Sequence, residues 1–184
     1  DNPVKLIGIS AGVSYGALGT THHSLHDYAV LRAINNISIV APADNFETAE
    51  AIKEATEMKR PVYIRFGKKA MPANLQSATV NSGFKIGKGR IIQEGNDLTF
   101  IATGEAVLPC VEAAKLLEKE HNISCKIISL HTIKPLDNEL LLASAANGKP
   151  IITAEEHSIN AGLGEAVASL LFQNGYSNKF KIVG

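Results

Sequence analysis

The chain has 184 residues, 45% of them apolar, which suits one or two small domains burying roughly 70% of the surface of the unfolded chain. Lys plus Arg and Asp plus Glu balance at 18 each, so neither a nucleic acid nor an anionic membrane surface is expected as a partner, while small anionic substrates stay open. No apolar run approaches the roughly 18 residues of a membrane span, and the start, Asp1 rather than Met, has no signal-peptide character and reads as an internal position.

Val4 to Ser10 is a strand-like run, followed by Gly16-Ala17-Leu18-Gly19-Thr20-Thr21-His22-His23-Ser24-Leu25-His26-Asp27, a stretch too polar and too small to fill a core. A helical pattern spans Leu25 to Ile34, so this stretch stands where a strand hands over to a helix, the edge at which α/β folds bind ligands. Ile37 to Ala41 is a buried strand. Asp44 then caps a helix, Glu47 completes a capping box, and Phe46, Ala49, Ile52 and Ala55 fall broadly on one side until Arg60-Pro61 ends it. Val62 to Phe66 is the next strand. All periodicity is lost from Gly67 to Ser77, and a linker over 71–83 divides a first unit, 1–70, from a second, 84–184.

The second unit opens with Phe84 to Gln93 and Leu98 to Thr103, strands expected to pair as a hairpin across the turn residues Glu94-Gly95-Asn96-Asp97. A helix from Ala106 to Lys119 carries Pro109 in its first turn, faces Val107, Cys110, Val111, Ala114 and Leu117 one way, and exits at His121-Asn122. Ser124 to Leu130 is a strand, Asn138 to Ala146 a short helix, Ile151 to Ala154 a strand, Gly164 to Gln173 a helix and Phe180 to Val183 a last strand. Strands alternating with helices define an α/β fold, a mainly parallel sheet with flanking helices. Cys110 and Cys125 read as small buried hydrophobes with neither disulfide nor metal spacing, which suits a reducing cytoplasm. Gly83 to Gly89 does not match a phosphate-cradling loop and reads as a twisted strand with close backbone approach.

Three readings of the histidine cluster stay open. Were the helix to begin early, His22 and His26 would be i and i+4 on one face and Asp27 could orient one of them, a zinc-like spacing that lacks a third ligand. The histidines can instead be polar groups at a helix start, bonded to backbone. Or His22 faces a substrate, where a near-neutral pKa lets imidazole donate or accept a proton.

Gly19-Thr20-Thr21-His22-His23-Ser24-Leu25-His26-Asp27, Leu31 to Asn36, Val40-Ala41-Pro42-Ala43-Asp44 and Pro61-Val62-Tyr63-Ile64-Arg65 together resemble the second half of the pyrimidine-binding domain of transketolases. Phe84 to Lys88, Ile101 to Gly104, His131-Thr132-Ile133-Lys134-Pro135-Leu136-Asp137 and Thr153-Ala154-Glu155-Glu156-His157-Ser158 resemble the Rossmann-like transketolase C-terminal domain. The resemblance covers essentially the whole chain and is strongest to the C-terminal subunit of split transketolases. Deoxyxylulose-phosphate synthase and the beta subunits of 2-oxo-acid dehydrogenases are more distant.

The resemblance implies thiamine diphosphate with a divalent metal such as magnesium in the full assembly, an N-terminal partner section or subunit, a homodimer or heterotetramer, and transfer of a two-carbon ketol unit between sugar phosphates. It matches His22 to the histidine that reaches the substrate and makes it the catalytic candidate. The phosphate-holding arginine of the family aligns with Lys68, and Arg65 stands in the strand just before it; both are substrate-binding candidates. A lysine binds phosphate as a point charge without the bidentate fork of arginine. Ala17 and Leu18 stand where many transketolases carry an acidic pair, so recognition of a substrate hydroxyl does not carry over. The family's activating glutamate precedes the position of Asp1, and its Gly-Asp-Gly…Asn motif for diphosphate and metal is absent from the sequence. The resemblance therefore implies a fragment, inactive alone, with no cofactor bound by this chain by itself; the alternative is an assembly module of a related thiamine-dependent enzyme. Glu155, Glu156 and His157 follow a buried strand, where polar groups are expected with or without a catalytic role.

Overall fold

A computed structural model describes residues 2–78, 80 and 82–184; Asp1, and Thr79 and Asn81 of the expected linker, lie outside the described residues. The order of elements is β1 (Lys5–Gly8), α1 (Asp27–Ala33), β2 (Ser38–Val40), α2 (Asn45–Glu57), β3 (Val62–Arg65), β4 (Arg90–Gln93), β5 (Leu98–Ala102), α3 (Val107–His121), β6 (Cys125–Ser129), β7 (Thr132–Lys134), α4 (Asn138–Ala145), β8 (Ile151–Ala154), α5 (Leu163–Gln173) and β9 (Phe180–Val183). They build two mainly parallel mixed sheets, ordered β1-β3-β2-β7 and β4-β6-β5-β8-β9. The class expected from the sequence is the one observed.

In the second sheet, successive residues of the apolar strand runs go to opposite helix layers. Phe100, Ala102 and Ile127 pack with Val107, Cys110, Val111 and Ala114 of α3. Ile101, Ile128 and Ile151 pack with Leu141 of α4 and with Leu163 and Val167 of α5. A parallel sheet covered on both faces accounts for strands that read as unbroken apolar runs rather than alternating ones. In α3 the buried positions recur at i, i+3, i+4 and i+7, and Asn122 ends the helix in the left-handed conformation with its N–H bonded to the carbonyl of Glu118. Cys110 and Cys125 are buried and unpaired, and burial pushes the Cys110 thiol up to about 12.

The first sheet is covered by α2 on one face, where Ala51 and Ala55 meet Val40, Val62 and Ile64. The other face holds Tyr28 of α1 with Ile39, Ala41 and Ile133. Asp44 caps α2 by accepting the N–H of Glu47 at 2.7 Å, worth about 1 kcal/mol, while Glu47 reaches back one residue further than a capping box does, to the N–H of Ala43 at 2.8 Å. The buried face of α2 is Glu47, Ala51 and Ala55. Phe46 and Ile52, expected inside, are exposed. Glu47 displaces them because its carboxylate has buried partners, the Arg90 guanidinium and the Ser129 hydroxyl.

Other expectations are corrected. β4 and β5 do not form a hairpin: β6 lies between them, antiparallel to β4 and parallel to β5. The turn passes over the start of β6, where the Gly95 backbone sits so close to Cys125 that a Cβ would collide with it, and Gln93 Nε2 donates to the Cys125 carbonyl at 3.1 Å. The strand expected from Phe84 begins only at Arg90, and Lys85 to Gly89 turn instead, with Gly87 at φ +92°. The 71–83 stretch, where described, has neither helix nor strand but is pinned: the N–H groups of Asn45 and Phe46 donate to the carbonyls of Pro72 and Ala73, and the Leu75 N–H to Asp44. The short strand β7 is absent from the sequence reading. It runs antiparallel to β2, so the first sheet takes its fourth strand from beyond that stretch, and Lys134 donates to the carbonyls of Arg32 and Ile34 at the end of α1. Among the described residues no helix is long and apolar enough to cross a membrane.

Candidate functional site

The carboxyl ends of the two sheets meet. Gly104, after β5, donates its N–H to the carbonyl of Ala41, after β2, at 3.1 Å, and Ser158, after β8, donates to Leu25 at 3.0 Å. Between them lies a cavity of about 910 Å³ lined by Val13, Leu25, His26, Lys69, Glu105 and Glu156, among others. Such a crevice outside strand carboxyl ends is the usual ligand position in α/β folds.

The segment after β1 arches over one side of this junction. Gly12 and Ser24 exchange backbone hydrogen bonds of 3.0 Å as an isolated antiparallel bridge, closing the arch at its base. Gly12 has φ +66°, a backbone conformation that favours glycine, and a Cβ there would displace the Glu156 carboxylate. Between the two ends run short 3₁₀ turns at Gly16–Leu18 and Thr20–His22, and His23 is already extended. His22 and His26 therefore do not share a helix face: α1 starts at Asp27, too late to bring them together. Asp27 orients no cluster histidine. It accepts instead from Tyr63 Oη and Arg65 Nε, both at 2.9 Å.

The sequence-derived candidates separate into two environments. His22 is exposed on the arch, its Nδ1 3.0 Å from the Thr21 hydroxyl and its ring 5.6 Å from that of Tyr15. Lys68, exposed after β3, places Nζ 3.8 Å from the centre of the same Tyr15 ring, a cation–π contact. Tyr15 thus joins His22 to Lys68; the sequence reading passed over it, although an aromatic set among Gly and Ser was a visible signal. Arg65 is buried and turned away from both, toward Asp27. Neither His22 nor Lys68 lines the large cavity.

Glu155, Glu156 and His157 have separate structural tasks. Glu155 accepts the N–H groups of Leu163 and Gly164 at 2.7 and 2.8 Å, holding the start of α5, although burial raises its pKa. Glu156 Oε1 accepts the Val13 N–H at 2.9 Å and so ties the arch to the second sheet. His157 stacks on Tyr28 with ring centres 4.7 Å apart, and burial lowers its pKa. A neutral ring donating from Nδ1 to the Ser158 carbonyl (2.6 Å) and accepting the Ala29 N–H at Nε2 (3.4 Å) fits both contacts. His131 is fully buried against Phe84, its pKa lowered to about 3 by burial and then by Arg90, and it too is a neutral packing group.

Glu105 is a site residue that sequence reading missed. Its carboxyl lies against Gly67, and burial first, then the Glu156 carboxylate, raises its pKa to about 7. Because this value lies above the ordinary one, the folded chain holds more protons than the unfolded chain between about pH 4.5 and 7. Stability contributed by the protonated group is present below that window and is lost as pH rises through it. Glu105→Gln should remain protonated-like throughout, so its chemical-denaturation midpoint relative to the unaltered chain should rise between pH 5 and 8. A constant difference would contradict the shift.

Two α/β sheets joined at their carboxyl edges, with a histidine arch on one side of the junction, define the class of protein. The sequence model described as "Transketolase, C-terminal domain" matches residues 87–183, and "Transketolase, pyrimidine binding domain" matches residues 1–74. The chain belongs to the transketolase family. It is 41% identical over 173 residues to a subunit of the apulose-4-phosphate transketolase of Phocaeicola vulgatus, an alignment covering 94% of this chain and 54% of that protein. It is 39% identical over 184 residues to a putative transketolase C-terminal section of Methanocaldococcus jannaschii, covering 98% of this chain and 56% of that one. Among solved structures, a split-gene transketolase described as an inactive beta4 tetramer superposes with a TM-score of 0.84 at 36% identity, covering 98% of this chain and 57% of its own. The chain thus spans about half the length of the curated relatives it matches.

Proposed function

We propose that the chain is the C-terminal part of a thiamine-diphosphate-dependent transketolase that moves a two-carbon ketol unit between sugar phosphates in the cytoplasm. In this reading residues 1–70 are a partial pyrimidine-binding domain and 84–184 the C-terminal domain, and the protein works as an oligomer with an N-terminal section or subunit. The observation that carries it is the exposed pair His22 and Lys68, held about one aromatic ring by Tyr15 at the carboxyl edge of the first sheet. His22 offers a proton donor or acceptor to a substrate oxygen, and Lys68 a point charge to the phosphate at the far end of the same substrate.

The sequence has no Gly-Asp-Gly…Asn motif for the diphosphate–metal end of the cofactor, and the described residues contain no group of three or more His, Cys, Asp or Glu able to hold a metal ion. That end belongs, in this reading, to the partner. A split-gene relative described as an inactive beta4 tetramer supports the same division. Calorimetric titration of the isolated chain with thiamine diphosphate and magnesium should give weak or no binding, and ketol transfer should appear only after the segment carrying the family's activating glutamate and a diphosphate-binding N-terminal partner are both supplied. Micromolar affinity of the isolated chain, or no activity with both supplied, would overturn the proposal.

Lys68 has its own test in the reconstituted enzyme. Lys68→Ala should raise KM for phosphorylated acceptors by about tenfold, the scale of one charge-assisted contact, and leave non-phosphorylated acceptors nearly unchanged. Equal losses on both classes would point to misfolding instead.

A further inference from the structure

Arg65 gathers four groups from three parts of the chain. Nε donates to Asp27 Oδ2 at 2.9 Å, at the first turn of α1. One terminal nitrogen, Nη2, donates both to the Ser24 carbonyl at 3.0 Å, at the foot of the His22 arch, and to the Glu156 carbonyl at 2.8 Å, after β8. The guanidinium carbon lies 4.5 Å from the centre of the Tyr28 ring, and only 4% of the residue is exposed. A planar fork with donors at fixed angles can serve a carboxylate and two carbonyls at once; an ammonium at the end of a flexible stem cannot reproduce that geometry.

These contacts close the arch from outside. Its base is the Gly12–Ser24 bridge, its leading side is tied by Val13 N–H to Glu156 Oε1, and its trailing side by Leu25 to Ser158. Arg65 is the side chain that holds the trailing foot, α1 and the Glu156 backbone together. We infer that Arg65 is a positioning residue: it sets the His22 arch against the second sheet and does not bind substrate phosphate. Its Nε and Nη2 donors are committed to protein acceptors and the residue is buried, whereas the neighbouring Lys68 is exposed. The kinetic part of the test below rests on the transketolase reading; the exchange part does not.

Amide hydrogen exchange on the chain itself should show residues 12–26 exchanging at least tenfold faster in Arg65→Gln than in the unaltered protein, while β5 and β6 keep their protection. Arg65→Lys, which retains the charge and loses the fork, should behave like Arg65→Gln. Asp27→Asn, which preserves volume, should raise arch exchange severalfold and stands in where the arginine variants fold poorly. Lys53→Gln, a surface change on α2, should leave the arch as it was. In the reconstituted enzyme Arg65→Gln should lower kcat for phosphorylated and non-phosphorylated acceptors alike. Unchanged arch exchange in the folded variants, or full protection in Arg65→Lys, would overturn the positioning role, and a KM increase confined to phosphorylated acceptors would return Arg65 to the substrate. Loss of activity in the unaltered assembly would instead count against the transketolase reading and leave the exchange result standing.

Discussion

Replacing His22 by Ala in the reconstituted enzyme is expected to lower turnover by about 10²-fold or more, the scale of a positioned proton donor or oxyanion-stabilising group. The geometry supports this size of effect because the imidazole is exposed, two residues before the trailing foot of an arch whose feet are bonded to the rest of the fold. The Thr21 hydroxyl engages Nδ1, which leaves Nε2 to meet a reacting oxygen. His23 and His26 are the controls. His23 is half-buried and extended, and His26 precedes α1, so alanine at either should cost far less. Equal damage from His26→Ala, with metal found in the purified protein, would restore the zinc reading. Unchanged turnover in His22→Ala would remove His22 from the chemistry.

Arg90→Ala is expected to cost about 3–5 kcal/mol of stability, the loss seen when one partner of a buried ion pair is removed and the other is left uncompensated. Arg90 is fully buried, with Nη1 3.1 Å from Asp44 and 3.4 Å from Glu47, both fully buried as well. Nη2 donates to Asn74 and Gln76 at 2.7 and 3.1 Å, and Nε to the Ser82 carbonyl at 3.2 Å. The residue therefore joins the start of α2, the 71–83 stretch and β4. Burial already raises Glu47 to about 7 in its presence. Without Arg90 the folded-state value rises further above the unfolded one, so ionising Glu47 destabilises the variant more. The deficit should be smaller at pH 5, where Glu47 is protonated, than at pH 8. Denaturant unfolding followed by circular dichroism at both values measures it. A deficit under about 0.5 kcal/mol, within the range of ordinary surface substitutions, would show that the network contributes little.

Local pattern was enough to place most of the individual elements. The i, i+3, i+4, i+7 set in α3, its exit at His121-Asn122, the Asp44 cap and the apolar runs of β6 and β8 were all legible, because their physics is complete within a dozen residues. The transketolase resemblance was legible for a related reason: its motifs are short, contiguous loops at strand ends. What failed were the inferences about which particular strand or side chain is the non-local partner. Two neighbouring strands around a Gly-Asn turn predict a hairpin, yet β6 inserts between β4 and β5, and no local signal encodes an insertion from 30 residues downstream. The exposed Phe46 and Ile52 of α2 gave way to Glu47 because the partners that make burial of a carboxylate tolerable, Arg90 and Ser129, come from distant strands.

The candidate site divides along the same line. The sequence and its resemblance singled out His22 as the catalytic candidate and Lys68 and Arg65 as substrate-binding candidates; the alternation of β3 puts Tyr63 and Arg65 on one face, with Val62 and Ile64 on the other. Which of those faces is lined by Asp27 and Tyr28 was decided only when α1 packed against β2 and β3, and that packing turns Arg65 inward while Lys68, beyond the strand end, stays in solvent. The Tyr15 link forms only because the arch folds back to the end of β3. The Glu105–Glu156 pair and the tie from Val13 to Glu156 exist only because two sheets meet at their carboxyl ends, bringing residues 51 and 143 positions apart within contact distance. Elements are written in short-range periodicity; the roles of individual side chains are set by long-range burial, which fixes who is desolvated, who is paired and who remains free to meet a ligand.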